Sequence, residues 1–100
     1  MERIELSYPA GETLPNRALS GVVGSGDMEV LFTPVKNVSM LSVEIKTSVD
    51  GSTLRWRHLF ERLASLRTLP AGHLEINDFG ATPGVARLRI EQVFEEASHA

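Results

Sequence analysis

The chain of 100 residues contains no cysteine, one tryptophan and one tyrosine. The lack of cysteine excludes disulfides and thiolate metal sites, so any thiol chemistry must be carried by an added group. No apolar run approaches the roughly 20 residues that a membrane-spanning helix needs. The chain also lacks a basic excess, since 10 Lys and Arg stand against 13 Asp and Glu. This balance argues against the clustered basic surface of a nucleic-acid-binding protein.

The length fits a single domain, 1–100, because a second hydrophobic core would not fit in a chain of this size. Residues 1–5 are rich in charge and lack the apolar core of a signal peptide. We therefore expect a cytoplasmic protein with one compact core.

Alternating apolar and polar residues predict five strands. The predicted strands cover residues 3–8, 17–23, 28–33, 41–49 and 73–77. The clearest alternation is in the fourth, where Leu41, Val43 and Ile45 share one face. Segments rich in glycine, proline, asparagine or aspartate separate these strands and are typical of turns.

A first helix is predicted over 54–66, because apolar residues recur there every three or four positions. They are Trp56, Leu59, Phe60, Leu63 and Leu66. Ser52 or Thr53 is the expected N-cap, with a side-chain oxygen accepting from a free backbone N–H. Basic residues such as Arg55 and Arg57 fall on the opposite, solvent-facing side.

The pattern of the last segment, residues 83–97, fits either a strand or a helix. Leu88 fits the strand pattern, whereas Val93 and Ala97 fit a helical face. We predict a helix, because Thr82–Pro83 supplies a hydroxyl cap followed by proline at the first helical position. The predicted fold is therefore α+β, a mostly antiparallel sheet with two helices packed on one face.

The segment Gly24–Ser25–Gly26–Asp27 lies between two predicted strands and has the composition of a tight hairpin turn. Ser25 has no side chains beside it, so its hydroxyl is open to a bulky partner. Taken alone, the four residues are more often an ordinary turn than a covalent site. Asp27 has two open interpretations: recognition or metal binding during attachment of a group to Ser25, or stabilisation of the turn through nearby backbone N–H groups.

The segment from Gly21 to Asp27, followed by an apolar strand, resembles the prosthetic-group site of the malonate decarboxylase acyl carrier (delta) subunits. Three further blocks are similar to that family, and the resemblance covers nearly the whole chain. They are residues 47–52, 54–62 and 77–85, the last continuing through Arg87–Leu88–Arg89 to Phe94–Glu95–Glu96. A weaker likeness extends to the citrate lyase carrier (gamma) subunit, which shares the Ser-Gly-Asp step before a strand.

The resemblance implies that Ser25 carries a phosphoribosyl-dephospho-coenzyme A group, 2'-(5''-phosphoribosyl)-3'-dephospho-CoA, through a phosphodiester. It also implies that Gly24, Gly26 and Asp27 form the attachment motif. The thiol of that group would hold an acetyl or malonyl thioester. Implied partners are an acetyl/malonyl transferase subunit, decarboxylase subunits and a holo-carrier synthase that attaches the group. The chain itself would catalyse none of these steps.

Other kinds of site are less well supported by the residues. The glycines lack the lysine and following helix of a phosphate-binding loop. The histidines, His58, His73 and His99, lack zinc-helix spacing, and Ser25 lacks the Gly-x-Ser-x-Gly pattern of hydrolases. Arg55, Arg57, Arg87 and Arg89 suggest a basic face for a partner subunit or for the phosphates of a bound group.

Two alternatives to a malonate decarboxylase carrier stay open. One is a citrate lyase-type carrier with the same kind of group but different acyl chains. The other is an interaction domain in which the turn is unmodified. Carriers of either type differ from an interaction domain in that Ser25 becomes covalently modified.

Overall fold

The computed structural model describes residues 1–99 and has the element order β1-β2-β3-β4-α1-β5-α2. The strands are β1 (Glu2–Pro9), β2 (Ala18–Gly21), β3 (Met28–Pro34), β4 (Met40–Thr47) and β5 (Gly72–Asp78). The helices are α1 (Thr53–Leu66) and α2 (Pro83–Ser98). The predicted α+β fold is confirmed, and so is a helix rather than a strand at the C-terminal end. No helix among the described residues is both long and apolar enough to cross a bilayer.

The five strands form one sheet in the order β1-β4-β5-β3-β2. All neighbouring pairs are antiparallel except β4 and β5, which run parallel and are joined by α1. Thr47 and Met28 both pair with Asp78. The last residues of β4 and β5 and the first residue of β3 therefore lie side by side at one end of the sheet. Both helices therefore begin near this end of the sheet, where the loop before β3 also ends.

The hydrophobic core lies between the sheet and the two helices. Trp56, Phe60, Ile90 and Phe94 from the helices all belong to one buried cluster with the strand residues. The Phe32 and Phe94 rings meet edge to face, with centroids 5.7 Å apart, a favoured arrangement for aromatic pairs. Leu66, predicted on the buried face of α1, is exposed instead, because it occupies the last residue of the helix.

Two strands end earlier than the alternation predicted. β2 stops at Gly21, where φ is +83° and a Cβ atom would overlap the Met28 carbonyl oxygen. β4 stops at Thr47, whose Oγ1 accepts from the Val49 N–H at 3.0 Å and so turns the chain. A positive-φ glycine in one case and a side chain that bonds nearby backbone in the other can therefore end a strand whose apolar pattern continues.

The two helix starts differ in how far they follow the predicted caps. Ser52 occupies the N-cap position of α1, but its hydroxyl donates to the Val49 carbonyl at 3.0 Å and caps nothing. The predicted side-chain cap of α1 is therefore wrong. At α2 the prediction is confirmed, since Thr82 Oγ1 accepts from the Val85 N–H at 3.2 Å and Pro83 opens the helix.

Candidate functional site

Ser25 lies at the second position of a tight turn in the loop between β2 and β3. The Asp27 N–H donates to the Gly24 carbonyl at 3.1 Å, which closes the turn around Ser25 and Gly26. Gly26 has φ +76°, the left-handed conformation that a type II turn requires at its third residue. The expected turn is present, within a six-residue loop, 22–27, that is longer than a tight hairpin.

The surroundings of Ser25 leave space for a large substituent. Ser25 and Gly26 are exposed, and a Cβ added at Gly26 would meet nothing within 4 Å. A Cβ at Gly24 would come only within 3.9 Å of the Val22 side chain. Because no neighbour crowds Gly24 and its φ is not positive, the fold does not require glycine there. The lack of side chains at Gly24 and Gly26 instead leaves the Ser25 hydroxyl accessible to a bulky group.

The turn is held against the sheet by the backbone of Phe79. The Gly26 N–H donates to the Phe79 carbonyl at 2.8 Å, and the Phe79 N–H donates to the Asp27 carbonyl at 3.0 Å. Both bonds lie on the C-terminal side of Ser25, and they fix the loop to the residue that follows β5. The hydroxyl is thus exposed on a backbone that is anchored rather than loose.

The Asp27 carboxylate joins the turn to α2. Arg89 donates to it twice, from Nε to Oδ1 at 3.1 Å and from Nη2 to Oδ2 at 2.8 Å. Asp27 Oδ1 also accepts from the Met28 N–H at 2.7 Å. The Arg89 hydrogen bond, followed by that of Met28, holds the pKa of Asp27 below its ordinary value, and the Asp27 bond raises the pKa of Arg89. The two-bond geometry fixes direction as well as charge.

A second contact of Arg89 extends this network into the sheet. Its Nη1 donates to Gln92 Oε1 at 3.3 Å, and the same oxygen accepts from the Ser20 hydroxyl at 3.0 Å. Gln92 thereby orients the guanidinium that holds Asp27. Neither Gln92 nor Ser20 was among the residues predicted for the site.

The structure corrects the predicted role of the second arginine pair. Arg89 was interpreted as part of a basic face, but its charge is engaged by Asp27 beside the turn. Arg87 Nε bonds Glu91 Oε1 at 2.6 Å, a pair that its spacing of four residues could have indicated. No local pattern predicts the Asp27–Arg89 pair, because the two residues are 62 positions apart.

The ion pair predicts a pH-dependent stability. Asp27→Asn keeps an acceptor for Met28 but removes the charge that Arg89 binds. Since the folded-state pKa of Asp27 lies below its ordinary 3.8, the pair stabilises the fold fully above that value and loses its contribution as pH falls through the folded-state pKa. We expect the variant to melt lower than the parent near pH 7, with the difference shrinking in acid below about pH 4. Thermal unfolding measured against pH at low salt tests this.

The matched control for that comparison is Arg89→Gln, which removes the other partner. It should lower the melting temperature at neutral pH in the same direction, and the double variant should lose less than the sum of the two single changes. A melting difference between parent and Asp27→Asn that stays constant down to pH 2 would show that the ion pair contributes nothing.

The histidines lie on separate elements of the fold. His58 lies in α1, His73 in β5 and His99 beyond the end of α2. Over residues 1–99, no hydrogen bond links a histidine to Ser25, and no three His, Asp or Glu side chains are grouped to hold a metal. The arrangement gives no support to a hydrolytic triad at Ser25.

Two exposed valines accompany the turn. Val22 and Val23 were predicted to lie in the second strand, but they are 58% and 62% exposed and lie outside it. Because β2 ends at Gly21, both leave the sheet and face solvent beside Ser25. A hydroxyl next to exposed apolar side chains on an anchored loop can be recognised by another protein.

The chain is similar to known proteins over nearly its whole length. Residues 15–97 match the family described as malonate decarboxylase delta subunit (MdcD), an acyl carrier protein family. The chain is 64% identical over 100 residues, the full length of both chains, to the malonate decarboxylase acyl carrier protein of Klebsiella pneumoniae. It is 54% identical over 99% of both chains to the protein of the same name from Pseudomonas savastanoi pv. phaseolicola (strain 1448A / Race 6).

A solved structure is similar over the same length. It is a chain of a Pseudomonas malonate decarboxylase hetero-tetramer crystallised with malonate, with a TM-score of 0.92 and 55% sequence identity. The match covers 97% of this chain and 99% of that one. The similarity therefore extends over nearly the whole chain.

These similarities define the class of protein first: an acyl carrier, which holds an acyl group on a prosthetic group and is not itself a catalyst. The chain belongs to the malonate decarboxylase delta subunit family. The resemblance inferred from the attachment motif and the three further blocks is thereby confirmed.

Proposed function

We propose that the whole chain, 1–100, acts as a single acyl carrier domain of a malonate decarboxylase. Ser25 is the residue that carries the prosthetic group, joined through a phosphodiester on its Oγ. The group is a phosphoribosyl-dephospho-coenzyme A, whose thiol supplies a thioester for acetyl and malonyl chains. The observation that carries the proposal is the exposed Ser25 hydroxyl on an anchored, glycine-flanked turn, in a chain whose family consists of acyl carriers.

The residues around Ser25 fit such a group. A Cβ added at Gly24 or Gly26 would meet nothing closer than 3.9 Å, and this open space supports a phosphodiester on the neighbouring Ser25. The Asp27 carboxylate is already bound by Arg89 and the Met28 N–H, so it does not repel a nearby phosphate as strongly as a free carboxylate would. This supports the turn-stabilising interpretation of Asp27 and gives it a positioning role in the proposed site.

The chain's own contribution is to anchor and present the acyl group. An acetyl/malonyl transferase subunit, decarboxylase subunits and a holo-carrier synthase are the proposed partners. Tethering raises the concentration of the acyl group at partner active sites to the millimolar range or so, without new contacts. Val22 and Val23 supply an apolar surface for those partners directly beside the attachment point.

The proposed function is tested by intact mass and peptide mapping. The protein is produced together with its own modifying enzymes, which are shown to be active on a known carrier. We expect an added mass equal to a phosphoribosyl-dephospho-coenzyme A, mapped to Ser25. A phosphopantetheine-sized adduct would reject this group, and an unmodified mass would favour an interaction domain. An adduct on another residue would reject the Ser25 assignment.

A further inference from the structure

A groove between the two helices is basic along its walls. Arg55, His58 and Arg62 line it from α1, and Arg87 lines it from α2, around a cavity of about 370 Å³. Within the described part of the chain, no carboxylate lines this groove. Arg87 is paired with Glu91, and neither Arg55 nor Arg62 forms a salt bridge with any residue from 1 to 99. Arg55 and Arg62 therefore give the groove its uncompensated positive charge.

The floor of the inter-helix groove is apolar. It is formed by Leu59, Leu63 and Pro83, and a narrow inner cleft beside it is lined by Trp56 and Ala81. Trp56 is 3% exposed, and its indole Nε1–H has no hydrogen-bond acceptor among residues 1–99. Buried indole N–H groups usually have a partner. An apolar floor, guanidiniums at the rim and an unsatisfied donor suit a ligand with a flat ring and phosphates.

The groove lies close along the chain to the proposed attachment site. The Gly26 N–H bonds the Phe79 carbonyl, Ala81 lines the inner cleft, and Pro83 lines the groove itself. The four residues that follow Phe79 up to Pro83 span at most about 14 Å when fully extended. A group on Ser25 that contains a phosphoribosyl, a nucleotide and a pantetheine tail is long enough to cover that distance.

We propose that the inter-helix groove binds the nucleotide portion of the arm carried on Ser25. This inference rests on the proposed function. Arg55 and Arg62 donate to phosphate oxygens, and the apolar floor packs against the adenine ring. With the nucleotide held there, only the thiol-bearing tail moves, so the acyl group is presented from one side of the carrier instead of from a freely rotating arm.

Arg57 provides a matched control. It lies on the same helix with the same charge, yet it lines a different cavity on the β1 side, together with Tyr8 and Glu61. Arg55 and Arg57 were predicted to share a basic face, but they line cavities on opposite sides of α1. Arg55, Arg57 and Arg62 are all exposed, so alanine at any of them should leave the fold intact.

The test compares backbone amide chemical shifts of the protein before and after attachment of the arm. We expect shifts to change at residues 55–63 and 81–87 as well as at the Ser25 loop. In the double variant Arg55→Ala/Arg62→Ala, the chemical-shift changes at residues 55–63 and 81–87 should disappear. Each lost guanidinium–phosphate contact lowers the ratio of docked to free arm about tenfold. Arg57→Ala should keep them. Melting curves of both variants check the fold.

The other outcomes separate this inference from the proposed function. Shift changes confined to residues 22–29 in modified protein would show a free arm and overturn the groove alone. The same holds if groove shifts persist in Arg55→Ala/Arg62→Ala, or if they arise only when a partner subunit is added, which would indicate an acidic protein surface as the occupant. A chain that the modifying enzymes leave unmodified would overturn both proposals.

Discussion

Ser25→Ala is expected to abolish attachment of the prosthetic group and, with it, all malonate decarboxylase turnover of the assembled complex. The change removes the only atom through which the proposed phosphodiester forms. It removes nothing that the fold uses, since Ser25 is exposed and the turn is closed by the backbone of Gly24 and Asp27. We expect the free energy of unfolding to change by no more than about 0.5 kcal/mol. Intact mass, thermal unfolding and turnover measured on one preparation test all three statements.

Ser7→Ala is a suitable control for that experiment. Ser7 is also exposed, but it lies in β1, on an edge strand of the sheet. The control should keep the full adduct and full turnover. Ser25→Thr adds a second test, because it keeps a hydroxyl and adds only a methyl group in open space. A Ser25→Ala protein that still carries the adduct, or one that is grossly unfolded, would contradict the proposed role.

Much of the fold could be predicted because the burial pattern matches the strand and helix periods directly. The alternation in β4 and the three-and-four spacing in α1 both place their apolar residues in or against the core, apart from Leu66 at the end of α1. The Thr82–Pro83 start of α2 was also predictable, since a cap depends on adjacent residues only. Local chemistry was therefore sufficient wherever the determining contacts are close in sequence.

Other features depend on contacts between distant segments and could not be predicted. Ser52 has the right residue type for a cap, but its hydroxyl bonds Val49 instead, a choice set by the tight path between β4 and α1. The partner of Asp27 became evident only when α2 packed beside the Ser25 loop. That Arg55 and Arg57 face different sides of α1 follows from their spacing of two residues, but the groove that Arg55 lines with Arg87 depends on where α2 packs. The attachment residue was predictable, but its support was not.

Asp78 carries the second large expected effect. It is fully buried at the end of β5, where Oδ2 accepts from the Thr47 hydroxyl at 2.8 Å and Oδ1 accepts from the Ala81 N–H at 2.9 Å. Asp78→Ala leaves both donors buried without a partner. We expect the free energy of unfolding to fall by about 2–4 kcal/mol, from the loss of two buried hydrogen bonds and the cavity that replaces the carboxylate. Urea unfolding of the purified protein measures this loss.

The same change should reach the Ser25 loop, because the next residue, Phe79, holds Gly26 and Asp27 through backbone hydrogen bonds. We expect hydrogen exchange at the Gly26 amide to quicken in Asp78→Ala by more than global destabilisation explains. Asp78→Asn is the control: its amide oxygen can still accept from Ala81, and its NH₂ can donate to Thr47 Oγ1, so it should lose less than half as much stability. Equal losses in the two variants would mean that the negative charge matters rather than the hydrogen bonds. An unchanged Gly26 exchange rate, corrected for stability, would mean that the turn is supported by Asp27 and Arg89 alone.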